Sequence, residues 1–557
     1  MLVYDEGFWN SVGTDEKYRH LREAVCGLHG EWTAKPLLPL SYSKFKLYFE
    51  TGDRKIFGDA YFDRRRQLEA AAVMYLIYKR EEYLLQLEDV MWAICDEYSW
   101  SLPAHIHATD VEGRIKTIDL FASETSFSLS EIVALIGEAL SEEVRSRVKY
   151  EIDRRIIRPF LDKKWGWEES QTNWAAVCAC QVGGTFLYMA PELFPKVRER
   201  ISNTMDSFLS GFGNDGACIE GISYWIYGFG LFTIYQELLS GIDPNALDIF
   251  KTEKVKNIAM FFQKTFLKGG ISITFADSQP QALYDIALSH YLKRIYKDEF
   301  KVPPFKYHLP LKRINRFSSF VRAFLYYDPK DNADDFEYSD AYFEDAQWFV
   351  RQNESYSFAA KGGHNAEWHN HNDVGSFLVC VNEKQVLCDI GVGLYTRKYF
   401  QHENGRYEIL CNRSKGHSVP IINGREQLHG GCYAAKDVIC DKNKFSLDIL
   451  GAYEEDGSLI RSFETLDKNI IITDTYNLTK EPCSITERLV SFEKPQIKRG
   501  EIIWDKVKLF YSADMLNVEV TEDYHESNFY DGSVYLIDFQ VKLPRKEMSV
   551  TLNLQFQ

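Results

Sequence analysis

Along the first three hundred or so positions, apolar residues recur at helical spacing. From Arg64 to Glu97 they repeat every three or four positions with few breakers. Ser128-Leu129-Ser130-Glu131 has the form of a capping box. It opens a stretch in which Ile132, Leu135, Ile136, Leu140, Val144 and Val148 line one stripe. Further helices are predicted at 173–192, 194–210, 220–240, 253–267 and 281–297. Near 330 the period changes. The segment 327–335 is polar, contains Pro329 and reads as a linker. Beyond it, Met548, Val550, Leu552, Leu554 and Phe556 alternate with polar residues, as do Leu516, Val518 and Val520. Ile470-Ile471-Ile472-Thr473 is a short β-branched run. The pattern predicts two domains, an all-α array over 1–330 and an antiparallel β-sandwich over 331–557. A catalytic cleft is expected between them.

At 557 residues the chain is too long for one ordinary core, which agrees with that division. Aromatic residues make up 15%, enough for sugar-stacking faces, but two large cores would also use them. The formal net charge of -16 argues against a nucleic-acid partner, which needs a basic face. It leaves room for an anionic sugar, because a local cluster of Arg, Lys and His can sit inside an acidic protein. The 11 cysteines are an odd number without framework spacing, and Cys178 and Cys180 form C-x-C. They read as mostly buried thiols in a reducing compartment. The start, Met1 to Glu6, shows no basic or apolar leader pattern, and no apolar run approaches the roughly 18 residues of a membrane span. The expectation is a cytoplasmic enzyme with no membrane partner; homo-oligomerisation stays open.

The densest polar cluster runs from Gly363 to Phe377 and holds His364, His369 and His371. Residues two apart on a strand share a face, so His369 and His371 can converge. Asp389 ends an apolar run before a glycine turn, where an Asx-turn is an ordinary role. His417 lies between a polar loop and a strand. Together His371, Asp389 and His417 supply two imidazoles and a carboxylate, a legitimate zinc set, although their separations make spacing a weak signal. In the helical half, Asn173 precedes an apolar helix and can serve as an N-cap. Tyr224 and Tyr227 are three apart and would share a helix face, where core tyrosines are common. The segment 275–278 is a third polar break.

These motifs together resemble the heparinase II/III family of polysaccharide lyases. HNHNDVGSF at 369–377, DIGVGLY at 389–395 and RSKGHSVPIING at 413–424 resemble its sandwich-domain signature. TNW at 172–174 and EGISYWIYG at 220–228 resemble its toroid motifs, the latter in the form of the exo-acting oligoalginate and heparin lyase branch. The resemblance implies an incomplete (α/α) toroid followed by an antiparallel β-sandwich. It implies β-elimination of a uronic-acid-containing oligo- or polysaccharide. It also implies Tyr224 as the catalytic tyrosine, with Tyr227 as the alternative, His369 as the sandwich-domain catalytic histidine, and Asn173 as a neutraliser of the substrate carboxylate. His371, Asp389 and His417 match the ligands of a structural zinc ion. Some members carry a histidine near that asparagine, whereas here the neighbours are Thr172 and Trp174. Trp174, Tyr227, Glu220, Arg397, His402 and Arg406 are candidate substrate contacts, with solvated surface the equal reading for Arg397, His402 and Arg406.

Two other functions compete. A toroid-type glycoside hydrolase would need two carboxylates flanking the bond, for which Glu220 and Asp277 are candidates. A non-catalytic glycan-binding protein would keep the fold without turnover.

Overall fold

The structure is a computed structural model describing residues 2–314, 316–332, 336–401 and 405–557. The chain forms two compact units. The first contains Met1–Gly211, Tyr224–Val255 and Tyr284–Phe336; the second contains Phe212–Ser223, Lys256–Leu283 and Glu337–Gln557. A single cut near 330 therefore does not describe the units, because two segments from the helical half pack with the strands. Local periodicity cannot reveal this, since it reports the type of an element and not its neighbour. Of the expected linker, positions 333–335 lie outside the described residues.

The first unit is helical. Lys55–Tyr78, Leu120–Ile136, Asn173–Met189, Gly230–Ser240, Ile286–Tyr296 and Phe317–Tyr326 are largely buried and form its inner layer. The tyrosine ring of Tyr61 meets Phe121 at 6.1 Å, and Ser126 Oγ lies 3.0 Å from Thr185 Oγ1, linking three of these helices. Arg322 is fully buried and pairs with Glu131 at 2.8 Å, linking the last inner helix to the second. The more polar helices Glu142–Ile152 and Phe194–Ser210 pack outside.

Several predicted elements have different limits. The run 64–97 is two helices, Lys55–Tyr78 and Glu81–Cys95, broken where Lys79 adopts φ +53°. The capping box at 128–131 is not a helix start. Asp119 caps that helix by accepting from the N–H groups of Phe121 and Ala122 at 3.1 and 2.8 Å. Ser126 and Ser130 instead donate back to carbonyls of their own helix, satisfying hydroxyls deep in its interior. The stripe Ile132 to Val148 is buried throughout but spans two helices, since the first ends at Ile136 and the next begins at Glu142. The segment Leu120–Ala139 is long and apolar enough to cross a membrane, contrary to the reading of the sequence, but 83% of its apolar 18-residue window is buried within the protein. It is the core helix of a globular unit. The run 220–240 divides into a turn Ile222–Tyr224, a π-helical turn Trp225–Phe229 and the helix Gly230–Ser240.

The second unit is an antiparallel β-sandwich. A five-stranded sheet follows chain order through Ala341–Phe343, Trp348–Gln352, Ser357–Lys361, Phe377–Val381 and Lys384–Leu387. An eight-stranded sheet is centred on Gly457–Thr465, Asn469–Leu478 and Glu547–Phe556, with Ile472 opposite Leu552. A four-stranded sheet contains Ile485–Ser491, Leu516–Glu526 and Asp531–Val541. Their apolar faces share one core, in which Phe349 stacks on Phe445 and Phe358 meets Phe463. Alternating residues thus point into a common interior, as the sequence periodicity requires.

Candidate active site

In the helical unit, first turns of inner helices carry the candidate residues. Thr172, not Asn173, caps the helix Asn173–Met189 by accepting from Trp174 N–H at 3.4 Å. Asn173 is the first helical residue and is buried. A Cβ on Gly228 would lie 3.1 Å from that of Asn173, so glycine there lets the π-helical turn approach closely. Tyr224 precedes this turn and is half-buried. Single π turns inside helices often mark functional sites.

Tyr227 has a defined structural place. Its hydroxyl donates to Glu124, which also accepts from Arg316 Nε at 2.8 Å. The Arg316 guanidinium lies 3.7 Å from the Tyr227 ring centroid. Burial and then the negative Glu124 push the Tyr227 phenol well above its ordinary range, so it stays protonated. Trp174 is half-buried, with its indole 4.9 Å from the His105 ring.

In the sheet unit, the focus is Asp277, a carboxylate that the sequence placed in a polar break and offered only as a candidate for a hydrolase pair. Asp277 Oδ2 accepts from His369 Nδ1–H at 2.6 Å and from the Tyr395 hydroxyl at 2.8 Å. Its Oδ1 accepts from His371 Nε2–H at 3.2 Å and from the Tyr399 hydroxyl. Burial opposes its charge, but the bonds and positive character of His369 and His371 hold the carboxyl below the usual carboxylate range. Asp277 is thus engaged by four donors and orients both imidazoles. Glu220 Oε2 lies 3.7 Å from His369 Nε2. The turn carrying Glu220 is fixed by Ser278, whose Oγ accepts from Ile222 N–H at 3.2 Å. Gly221 adopts φ +107°, and a Cβ there would lie 2.3 Å from that oxygen. His369 itself takes φ +59° at the tip of its loop.

His371, Asp389 and His417 converge, each offering a ligand atom within 4.8 Å of the others. The arrangement fits a metal ion on its own evidence. His371 uses Nε2 on Asp277, and its buried Nδ1 has no hydrogen-bond partner among the described residues. His417 uses Nε2–H on the Cys411 carbonyl at 2.7 Å, turning Nδ1 toward Asp389 Oδ2 at 3.2 Å. Outer hydrogen bonds thus direct both Nδ1 atoms inward, as at metal sites. Asp389 also forms the anticipated Asx-turn, accepting from Gly391 N–H at 2.9 Å. Burial disfavours a charged His417, but Asp389 and Asp373 overcome it and raise the imidazole to about 9. The pocket favours positive charge at the position where an ion would bind.

The remaining candidates are placed differently. Arg406 is buried and donates to the carbonyls of Tyr399 and Asn370, both at 2.8 Å, so it braces the loop before His371. Arg397 is half-buried beside the short turn Lys398–Phe400. His402 lies outside the described residues. Tyr395 and Tyr399 escaped notice because an isolated tyrosine near a glycine turn resembles core.

No family model matches the sequence, and no curated protein does. Solved structures do share the fold. A heparinase III covers 99% of this chain and 92% of its own at a TM-score of 0.60 and 11% identity. The heparan sulfate lyase HepC from Pedobacter heparinus covers 100% and 93% at a TM-score of 0.58 and 10% identity. The chondroitin AC lyase of Streptomyces coelicolor covers 99% and 82% at a TM-score of 0.55 and 9% identity. The chain therefore has the helical-toroid and β-sandwich fold of these proteins.

Proposed function

We propose that this chain is a polysaccharide lyase that cleaves uronic-acid-containing glycans by β-elimination, acting exolytically on oligosaccharides. The observation that carries this reading is the fixing of His369 by Asp277. With Nδ1–H committed to a buried carboxylate, His369 presents Nε2 as its working atom. The fold supports the reading, since the proteins sharing it are named as lyases of heparan sulfate and chondroitin.

Elimination removes the C5 proton of a uronate and expels the oxygen at C4. The adjacent carboxylate makes C5 a poor acid, because deprotonation adds a second negative charge. Asn173 neutralises that carboxylate by amide donation, and His369 serves the same elimination as donor or base. Tyr224 gives its proton to the leaving oxygen, having itself taken the C5 proton as phenolate where His369 acts as the donor. A zinc ion at His371, Asp389 and His417 would supply a structural cross-link. His371 would then fix the backbone near His369 and the position of Asp277. The substrate class includes heparin or heparan sulfate, hyaluronan, chondroitin and alginate.

An ultraviolet screen for the new C4–C5 double bond, with product sizing by mass spectrometry, tests this. Disaccharide or monosaccharide release from chain ends supports it. Reducing ends without new absorbance would instead establish hydrolysis, and binding without turnover a glycan-binding protein.

A further inference from the structure

Arg54, His105 and Trp174 stand together on the helical unit, outside the set of residues assigned above to bond cleavage. Arg54 Nη2 lies 3.0 Å from His105 Nε2, and His105 Nδ1 lies 2.7 Å from Asp119 Oδ2. Arginine can only donate, so Nε2 is the acceptor and the imidazole proton is on Nδ1, directed at Asp119. Asp119 is itself fixed by the N–H groups of Phe121, Ala122 and Leu102. The imidazole lies flat against Phe121, with ring centroids 5.6 Å apart and planes 8° from parallel. The Trp174 indole meets the ring in an edge-type contact, with centroids 4.9 Å apart. The ring is thus held by a carboxylate and two aromatic neighbours.

This arrangement directs a cation. The imidazole accepts one guanidinium N–H and so orients Arg54. Arg54 and Trp174 are half-buried, and 12% of the His105 side chain is exposed. A planar guanidinium fork suits the oxygens of a carboxylate or sulfate, and an indole suits the apolar face of a sugar ring. Trp174 directly follows Asn173, which packs against the turn after Tyr224.

We propose that Arg54, oriented by His105, and Trp174 form a subsite for an anionic substituent of a sugar neighbouring the one held at Asn173. The proposal rests on the reading that the chain acts on acidic glycans, and it adds a specificity element to it. Arg54 contacts the anion, Trp174 contacts the ring, and His105 and Asp119 are positioning residues.

The test is calorimetric binding and steady-state kinetics of wild type and Arg54→Gln with unsulfated alginate and hyaluronan oligosaccharides and sulfated heparan oligosaccharides. Arg54→Gln should raise Kd or KM at least about tenfold with kcat changed less than about threefold, and Arg54→Lys should recover part of the loss. Loss confined to sulfated ligands assigns a sulfate; loss shared by unsulfated ligands assigns a carboxylate. Circular dichroism checks folding, and if Arg54→Gln fails it, Arg54→Lys and Trp174→Ala must each weaken binding. Affinities within twofold of wild type, or no binding by wild type across the panel, would overturn the subsite. Binding without turnover would defeat the lyase reading while leaving the subsite intact. Turnover with a KM indifferent to Arg54 would do the reverse.

Discussion

Asp277 joins His369 to His371: its Oδ2 takes the Nδ1–H of the former at 2.6 Å and its Oδ1 the Nε2–H of the latter at 3.2 Å. One carboxylate thus serves the candidate catalytic imidazole and a candidate metal ligand. Asp277→Asn would replace an acceptor by a group whose NH2 faces N–H or O–H donors. It should lower both turnover and zinc affinity by about 10- to 100-fold. Unsaturated-product kinetics and metal competition titration check this; wild-type values in both would show that the bridge is dispensable.

Tyr224 and Tyr227 should separate cleanly. Tyr224→Phe should abolish unsaturated product with little change in melting temperature. Tyr227→Phe leaves the buried Glu124 short of a donor and should cost about 1–3 kcal/mol of stability. Thermal unfolding of the two variants, beside the ultraviolet assay, decides the assignment. Full activity in Tyr224→Phe would reject it.

Metal removal should be visible without any substrate. At free zinc about 100 times Kd, a bound ion stabilises by about 2.7 kcal/mol. A chelator should therefore lower the melting temperature by about 5–10 °C for a unit of this size, and added zinc should restore it. His417→Ala should show neither effect. A melting curve indifferent to chelator and zinc in the wild type would count against the ion.

Stability should also fall in mild acid because of His525. Burial lowers this imidazole from its ordinary 6.5 to about 4, despite its hydrogen bond to the Val392 carbonyl. Between those values the unfolded chain binds a proton that the native chain refuses. The contribution is complete above about 6.5 and is lost as pH falls toward 4, up to about 3 kcal/mol. His525→Gln should flatten this part of the profile, measured by denaturant unfolding. Parallel wild-type and variant curves from pH 7 to 4 would refute the account.

Long elements were legible because burial imposes a period on them. Asn469–Leu478 and Glu547–Phe556 alternate as the residues themselves announce, and Phe194–Ser210 has the predicted limits. Short-range signals misled where a competing local interaction won, as when Asp119 supplied the cap that Ser128 seemed to offer. The candidate metal set could be assembled from motifs because each member sits in a recognisable loop. Asp277 could not, since it is 92 positions from His369 and 122 from Tyr399, and no local pattern spans such distances. Arg406 read equally as a sugar contact or a surface cation because sequence does not show which carbonyls a buried guanidinium will find.

The interleaving of the two units constrains how the chain can be divided or made. A fragment beginning at Glu337 carries both histidines but lacks Lys256–Leu283, and with it the acceptor that four side chains share. Truncation at the apparent change of period would leave those donors buried around an absent anion. During synthesis, the segment bearing Asp277 must wait for its partners until translation has passed them. Dissection into independently expressed halves should therefore yield a poorly folded sheet fragment, unless residues 256–283 are supplied with it.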